Sequence, residues 1–408
     1  MILQGANIVL GVTGGIACYK AVDLCSKLVQ AGATVDVMMT EAATRFVTPL
    51  PFQTITKRPV ALDMFQLLGE VDMAHISLSA RADVMVIAPA TANTIAKIVY
   101  GLADNQVTST VLASTAPLVV APAMDADMWA SAVTQANVET LRRRGATIVG
   151  PGSGRLASGR IGAGRLVSTE EIMAAIRQTL GRRGVLAGRR VTVTAGGTQE
   201  PLDPVRRLTN RSSGRMGYAL AEAARDAGAE VRLIHAPTAL PVVYGVEITA
   251  VTTAAEMQRA VLEALPGSDA LIMAAAVADF RPAETAAQKI KKGAAGEGLT
   301  LALERTPDIL ASVADQPDGR RPGAVVGFAA ETESLLENAT AKLRAKRLDL
   351  MVANDVSAPD SGFEVETNRV VLLTPDGAEE ALPLLSKSAV AERIVARVAD
   401  ILEAKRHG

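Results

Sequence analysis

Several groups of polar residues interrupt a chain that otherwise alternates short apolar runs with helix-like segments, and their chemistry points to anions and flat rings. The densest group is residues 195–217, AGGTQEPLDPVRRLTNRSSGRMG, between the run Val191–Thr194 and the helix-like YALAEAARDAG. A glycine pair, a polar excursion and a helix start provide backbone amides that can cradle a phosphate. Arg206, Arg207, Arg211 and Arg215 add positive charge around Asn210, and the sequence does not separate their roles. A connection this long usually binds something.

A second phosphate loop is expected at Gly11-Val12-Thr13-Gly14-Gly15. It lacks the G-x-G-x-x-G spacing of dinucleotide sites, which leaves mononucleotides open and disfavours a pair of NAD-linked domains. Loops of small residues at Met39-Thr40, Ala88–Asn93 and Ala121–Met124 fall where strands should end. Ligands of open α/β sheets sit beyond such ends, and three small-residue loops at one edge suit a flavin. His75 is one of only three histidines and is read as an acid/base group. Asp279 closes the run LIMAAAVA, a fitting place for a carboxylate that holds Mg2+ on phosphates. Lys289, in Lys289-Ile290-Lys291-Lys292, and the i, i+4 pair Lys342 and Lys346 read by themselves as solvated charge runs, and only the resemblance given below implies that they clamp a triphosphate.

The elements that position these groups follow from the pattern of the runs. Continuously apolar strands separated by helices imply parallel sheets covered on both faces. The pattern runs from Asn7 to Pro151, breaks at the polar GRRGVLAGRR of 181–190, and restarts at Val191. Two doubly wound α/β domains are therefore expected, 1–185 and 186–408, with a hairpin about Pro375-Asp376-Gly377 edging the second sheet. The 408 residues are 49% hydrophobic with a net charge of -1, ample for buried cores. Balanced charge (42 basic, 43 acidic) and 3% aromatics argue against a nucleic-acid surface. No apolar run approaches the ~20 residues of a membrane span. The start lacks the basic region of a secretory leader, and Cys18 and Cys25 lie in one apparent helix, so a cytoplasmic location is expected.

PAMDADMW at 122–129 resembles the P-x-M-N-x-x-M-W motif of the flavin-dependent cysteine decarboxylases, and GRLASGRIGAGRL at 154–166 resembles their substrate clamp. In the second half, the 195–217 stretch, AAAVADFRP, KIKK, TPDIL, GFAAET and LDLMVANDVS are similar, in order, to segments of phosphopantothenate-cysteine ligases. The whole chain resembles the bifunctional coenzyme A family that fuses the two activities. That resemblance implies a flavodoxin-like FMN domain followed by a Rossmann-like ligase domain, in a homo-oligomer. In the first, FMN oxidises the cysteinyl thiol of phosphopantothenoylcysteine, the thioaldehyde loses CO2, and electrons return to an enethiol. The second activates 4'-phosphopantothenate with CTP and Mg2+ as an acyl-cytidylate, from which cysteine displaces CMP.

The resemblance assigns roles to individual residues. His75 serves the oxidation and decarboxylation, and Gly14, Gly15, Thr40, Ala88, Thr91 and Asn105 the FMN. The family's carboxylate-binding asparagine falls at Asp125 and its proton-donating cysteine at Ser158, so both positions depart from the pattern. Asp125 would donate to the substrate carboxylate only if burial kept it protonated. A serine is also a poorer acid than a thiol, whose reference pKa is about 8.5. One reading keeps a working decarboxylase; the alternative is an active ligase carrying an impaired flavin-binding scaffold. In the ligase, Asn210 turns over the acyl-cytidylate and Lys289 joins it as a catalytic residue. Ala275, Ala276, Asp279, Pro307, Asp308, Ile309, Leu310, Phe328, Lys342 and Lys346 hold CTP, with Asp279 as the metal ligand.

Overall fold

Strands buried on both faces need helices on both sides, and each half of the chain is built in that way. The computed structural model describes residues 2–65, 73–291, 299–331, 335–355 and 365–407. Lys292, Thr332, Val356 and Ser357, which belong to motifs quoted above, lie outside them. The chain forms two units, Met1–Gly181 and Arg182–Gly408.

In the first unit, β1 (Asn7–Val12), β2 (Thr34–Met39), β3 (Val84–Ala90), β4 (Leu118–Pro122) and β5 (Thr147–Ile148) form a parallel sheet ordered β2-β1-β3-β4-β5. This is the flavodoxin-like order, with the direction of winding reversing between β1 and β3. The helix Cys18–Gln30 buries Cys18, Ala21, Leu24, Cys25 and Leu28 along one stripe, the period of an amphipathic helix. An antiparallel hairpin, β6 (Gly152–Arg155) and β7 (Ile161–Arg165), leaves the sheet after β5.

The second unit begins with β8 (Arg190–Ala195). An antiparallel ribbon of β9 (Gln199–Pro201) and β10 (Arg207–Thr209) then shapes what the sequence suggests is a plain loop. After it come β11 (Glu230–His235), β12 (Glu247–Ala250) and β13 (Ala270–Met273). A small pair follows, β14 (Phe280–Pro282) with β15 (Leu303–Arg305), and then β16 (Ala324–Glu331) and β17 (Leu350–Asp355). β18 (Thr367–Asn368) pairs with β21 (Leu385–Ser386), while β19 (Val370–Leu373) and β20 (Glu379–Ala381) form the expected edge hairpin. The main sheet is ordered β12-β11-β8-β13-β16-β17-β19-β20. Its six parallel strands follow the Rossmann winding, with the reversal between β8 and β13.

Successive side chains of this sheet alternate between two cores, as the pleat requires. Val191, Val193, Ala270 and Ile272 pack with the helices Arg215–Asp226 and Lys387–His407. Leu271, Met273 and Val325 pack with Ala254–Ala264 and Ile309–Ala314. β13 is shorter than its apolar sequence suggests, because Ala274–Ala278 leave the ladder and bond instead to the end of β8.

One close approach fixes the first helix after the arginine-rich stretch. A Cβ on Gly217 would stand 2.5 Å from Ala195 Cβ and 2.7 Å from the Thr194 carbonyl oxygen. Backbone on one side leaves no flexible neighbour to yield. Gly217→Val is expected to cost ~1–3 kcal/mol in the urea unfolding of the second unit; a midpoint equal to the parent's would contradict this packing.

Candidate functional site

The first site gathers where β1 and β3 diverge. Thr13, fully buried, donates from Oγ1 to the Pro89 carbonyl at 2.7 Å and accepts from the Thr91 N–H at 3.0 Å. One hydroxyl therefore joins the two strand ends on either side of the winding reversal. Gly14 lies against Ala42, where a Cβ would come within 2.4 Å of Ala42 Cβ. Beside it, the nearest atom to a Cβ on Gly15 would be Thr91 Cγ2, 3.8 Å away, so the loop stays open towards Thr91. Cys18 is sealed beneath this loop. Its thiol donates to the Thr13 carbonyl at 3.0 Å, and burial raises its pKa.

Most of the polar residues expected to bind FMN also start helices. Thr40 accepts from Ala43 N–H at 3.3 Å, Thr91 from Thr94 N–H at 3.3 Å and Asn105 from Thr108 N–H at 3.1 Å. Each is half-buried at the carboxyl-end edge of the sheet, whereas Ala88 is fully buried within β3. His75 lies in the helix Ala74–Arg81 with its Nδ1 buried and without a hydrogen-bond partner. The buried Gln106 fixes that helix: with its amide turned to satisfy its neighbours, its oxygen accepts from the His75 backbone N–H at 3.2 Å. An orphaned imidazole nitrogen and an open glycine loop are features that a bound flavin would complete.

The two positions that depart from the decarboxylase pattern touch each other. Ser158, at the tip of the β6–β7 hairpin, donates from Oγ to Asp125 Oδ2 at 2.6 Å. Asp125 also caps the helix Ala126–Ala130 by accepting from Asp127 N–H at 3.3 Å. Next to this contact Arg160 pairs with Asp127, and Met124 N–H donates to the Gly164 carbonyl at 2.9 Å. The hairpin is thereby fastened along residues 124–127. The Ser158 hydroxyl, followed by the Asp127 amide, holds the Asp125 carboxyl below its ordinary range. The protonated state that burial would have favoured is therefore not the one this environment supports.

In the second unit a cavity of about 900 Å³ opens beside β13, β16 and β17, which contribute Met273, Phe328 and Asn354 to its lining. Residues 210–217 and 273–280 form its two sides, and residues 305–310, Phe328, Lys342 and Lys346 close it. Every residue expected to hold CTP is in this lining except Lys289. The walls are tied together by backbone and by threonines. Ala276 N–H donates to the Gly196 carbonyl at 2.8 Å, and Thr198 N–H to the Ala276 carbonyl at 3.2 Å. Ala275 N–H donates to Thr194 Oγ1 at 3.1 Å and Ala278 N–H to Thr198 Oγ1 at 2.9 Å. Asn210 Nδ2 donates to the Val277 carbonyl at 3.0 Å, which uses one of its two hydrogens. Lys346 pairs with Asp308, the cap of the helix Ile309–Ala314. Burial would raise the Asp308 pKa, but Lys346 and the Ala311 amide hold it low.

The four arginines that the sequence leaves equivalent are separated here. Arg211 and Arg215 line the cavity; Arg206 and Arg207 do not. Arg207 is turned to Gln199, and Arg206 binds the Asp203 carboxylate and the Ile290 carbonyl. Asp203 is buried, which opposes ionisation. The amides of Val205, Ile290 and Arg206 and the Arg206 guanidinium outweigh burial and hold its pKa at about 2. This knot anchors the chain next to Lys289, which is itself exposed and outside the cavity lining. Asp279 is exposed at the cavity edge, and among the described residues no cluster of three His, Cys, Asp or Glu could hold a metal. A cation at Asp279 would complete its shell with phosphate oxygens and water, as Mg2+ commonly does.

Both units have relatives among known proteins. Residues 2–181 match the family model described as Flavoprotein, and residues 186–402 that of the DNA/pantothenate metabolism flavoprotein C-terminal domain. The coenzyme A biosynthesis bifunctional protein CoaBC of Vibrio cholerae is 43% identical over 393 residues, covering 96% of this chain and 98% of the relative. That of Bacillus subtilis is 44% identical over 400 residues, 97% of each. The chain belongs to this bifunctional coenzyme A biosynthesis family. A crystal structure of the C-terminal domain of a CoaBC protein is 39% identical, with a TM-score of 0.46, covering 54% of this chain and 99% of that one.

Family motifs locate the loops, but they miss the buried threonines that brace them. Thr13, Thr194 and Thr198 are each fully buried at strand ends. Thr13 and Thr194 show in sequence only as a hydroxyl near the end of an apolar run, and Thr198 only as a residue after a glycine pair. The Asp125–Ser158 contact gives a direct test. A carboxyl with a lowered pKa adds stability above its ordinary value, and that contribution disappears as pH falls through the lowered one. The clamp contact is therefore complete at neutral pH and is lost only in acid. In Ser158→Ala, a carboxyl 13C NMR titration should place the Asp125 midpoint higher than in the parent; coincident midpoints would contradict the contact.

Proposed function

We propose that this chain performs two consecutive steps of coenzyme A biosynthesis. It joins 4'-phosphopantothenate to cysteine at the expense of CTP, and decarboxylates the resulting phosphopantothenoylcysteine to 4'-phosphopantetheine. The observation that carries the ligase half is the second-unit cavity, where the expected nucleotide residues meet Asn210 and two arginines. The substrate carboxylate attacks the α-phosphate of CTP, pyrophosphate leaves, and the cysteine amine then displaces CMP from the acyl carbon. Asn210 keeps one amide hydrogen for the oxyanion that develops in that displacement, while its other hydrogen fixes its direction. Lys342, Lys346 and Arg211 balance the negative charge of the nucleotide, and Asp279 is the residue that would hold Mg2+. Lys289 enters only if its exposed segment closes over the bound nucleotide.

In the first half, a bound FMN would supply the two-electron redox chemistry that decarboxylation of the cysteinyl group requires. Gly14, Gly15, Thr40, Thr91 and Asn105 hold it at the β1/β3 edge, and the unpaired His75 Nδ1 is the atom that can exchange a proton beside it. Asp125, ionised and capped by Ser158, fixes the clamp in place of the amide hydrogen bond expected of an asparagine. Membership of the bifunctional family favours a working decarboxylase over the scaffold reading. The buried, unpaired cysteines agree with a reducing cytoplasm, and no helix among the described residues is long and apolar enough to cross a membrane. The homo-oligomer expected of the family belongs to the same reading.

Two assays test the halves separately. Asn210→Ala should slow ligation of phosphopantothenate to cysteine by ~10²-fold or more; ligation at the parental rate would overturn its role. The parent, given phosphopantothenoylcysteine, should release CO2 and phosphopantetheine in equal amounts. Release of CO2 without phosphopantetheine would show that Ser158 cannot support the closing step.

A further inference from the structure

The second-unit cavity has a further wall, formed by Arg215, Asn354, Asn368 and Lys387, to which the chemistry above assigns no group. These residues come from two distant parts of the chain, the start of the helix Arg215–Asp226 and residues 354–387. Lys387 opens the helix Lys387–His407 and is only 6% exposed, while Asn354 and Asn368 are 8% and 2% exposed. Burying an ammonium is costly, and an apolar residue of similar volume would commonly serve stability as well or better. A buried cation at the wall of an open cavity is better explained by an anion that the cavity receives.

The surroundings narrow the kind of anion. Lys387 N–H donates to the Glu366 carbonyl at 3.0 Å, and the Glu366 carboxylate pairs with Arg215. One residue therefore links both cations. Arg215 is also the first residue of the helix Arg215–Asp226, whose leading amides and dipole favour negative charge. Burial, and after it the Arg215 charge, lowers the Lys387 pKa, while Glu366 acts in the opposite sense. An arriving anion would relieve both strains on the ammonium. Asn354 and Asn368 border the same wall.

We propose that Lys387 and Arg215 form a phosphoryl-binding subsite of the cavity, which takes a phosphate monoester or the diphosphate end of a nucleotide. The proposal deepens the ligase reading and rests on it. That reaction brings in two such groups: the β,γ-phosphates of CTP, which leave as pyrophosphate, and the terminal phosphate of phosphopantothenate. Both share the recognised chemistry, and separate measurements distinguish them.

The test uses the full chain with Lys387→Met, which keeps volume and removes charge, and Lys387→Arg, which keeps charge. KM for CTP, phosphopantothenate and cysteine would be measured separately, together with direct calorimetric binding of inorganic pyrophosphate and inorganic phosphate. Losing a hydrogen bond to a charged group should weaken binding by about tenfold or more. In Lys387→Met the KM for CTP rises with weaker pyrophosphate binding if the diphosphate is the occupant. The KM for phosphopantothenate rises with weaker phosphate binding if the monoester is. In either case the KM for cysteine stays put and Lys387→Arg recovers much of the loss. A folded Lys387→Met chain with all three KM values and both anion affinities unchanged would overturn the subsite. Should Lys387→Met fail to fold, Arg215→Gln takes its place, and KM values for CTP and phosphopantothenate and anion affinities all unchanged in that variant would overturn the subsite as well. Anion binding that depends on Lys387 in a parent with no ligase activity would instead keep the subsite and reject the ligase reading.

Discussion

Buried threonine hydroxyls bridge neighbouring strand ends at the winding reversal of each sheet, and both sites depend on them. Parallel strands stop with backbone amides and carbonyls that no further strand pairs, and this edge must also stay open to a ligand. Thr13 resolves the conflict in the first unit by bonding to both the Pro89 carbonyl and the Thr91 amide. Thr194 and Thr198 do so in the second by receiving the Ala275 and Ala278 amides. Each bond contributes only about 1 kcal/mol net, but leaving a buried amide unpaired costs ~1–3 kcal/mol. Loss of one hydroxyl would therefore disturb the wall of a site as well as the stability of the sheet.

Ionised carboxylates fix the loops that surround these edges. Asp125 fastens the clamp hairpin, Asp203 ties the arginine-rich excursion to Ile290, and Asp308 caps a cavity helix while pairing with Lys346. All three have lowered pKa values, so the contacts they make are intact at neutral pH and weaken in acid. The same logic explains why Asp125 is no simple replacement for an asparagine. It gives up the amide donor, and in exchange it accepts from Ser158, the other position that departs from the decarboxylase pattern.

The architecture was legible because buried parallel strands must be continuously apolar, and helices between them must be amphipathic. Glycine-rich turns and strand-end loops were legible for a related reason, since close backbone approach excludes larger side chains. What the sequence did not carry was pairing across distance. Nothing in the spacing of Arg206, Arg207, Arg211 and Arg215 tells which faces the cavity, because the β9–β10 ribbon turns two of them away. Nor does the sequence show that Thr40, Thr91 and Asn105 spend their acceptors on helix starts. Lys289 reads as part of the cavity in sequence and lies outside its lining in space. Lys387 has the opposite history, a lone lysine after a hairpin that the fold buries at the cavity wall.

If one chain runs both reactions, the carboxyl carbon of cysteine must pass through an amide product before it leaves. Incubating the purified protein with cysteine labelled with 13C at the carboxyl carbon, phosphopantothenate, CTP, Mg2+ and FMN tests this most directly. The account predicts labelled CO2 that appears only when CTP and phosphopantothenate are both present, approaching one equivalent per pyrophosphate released. Pyrophosphate release with no labelled CO2, or labelled CO2 that needs no CTP, would contradict it.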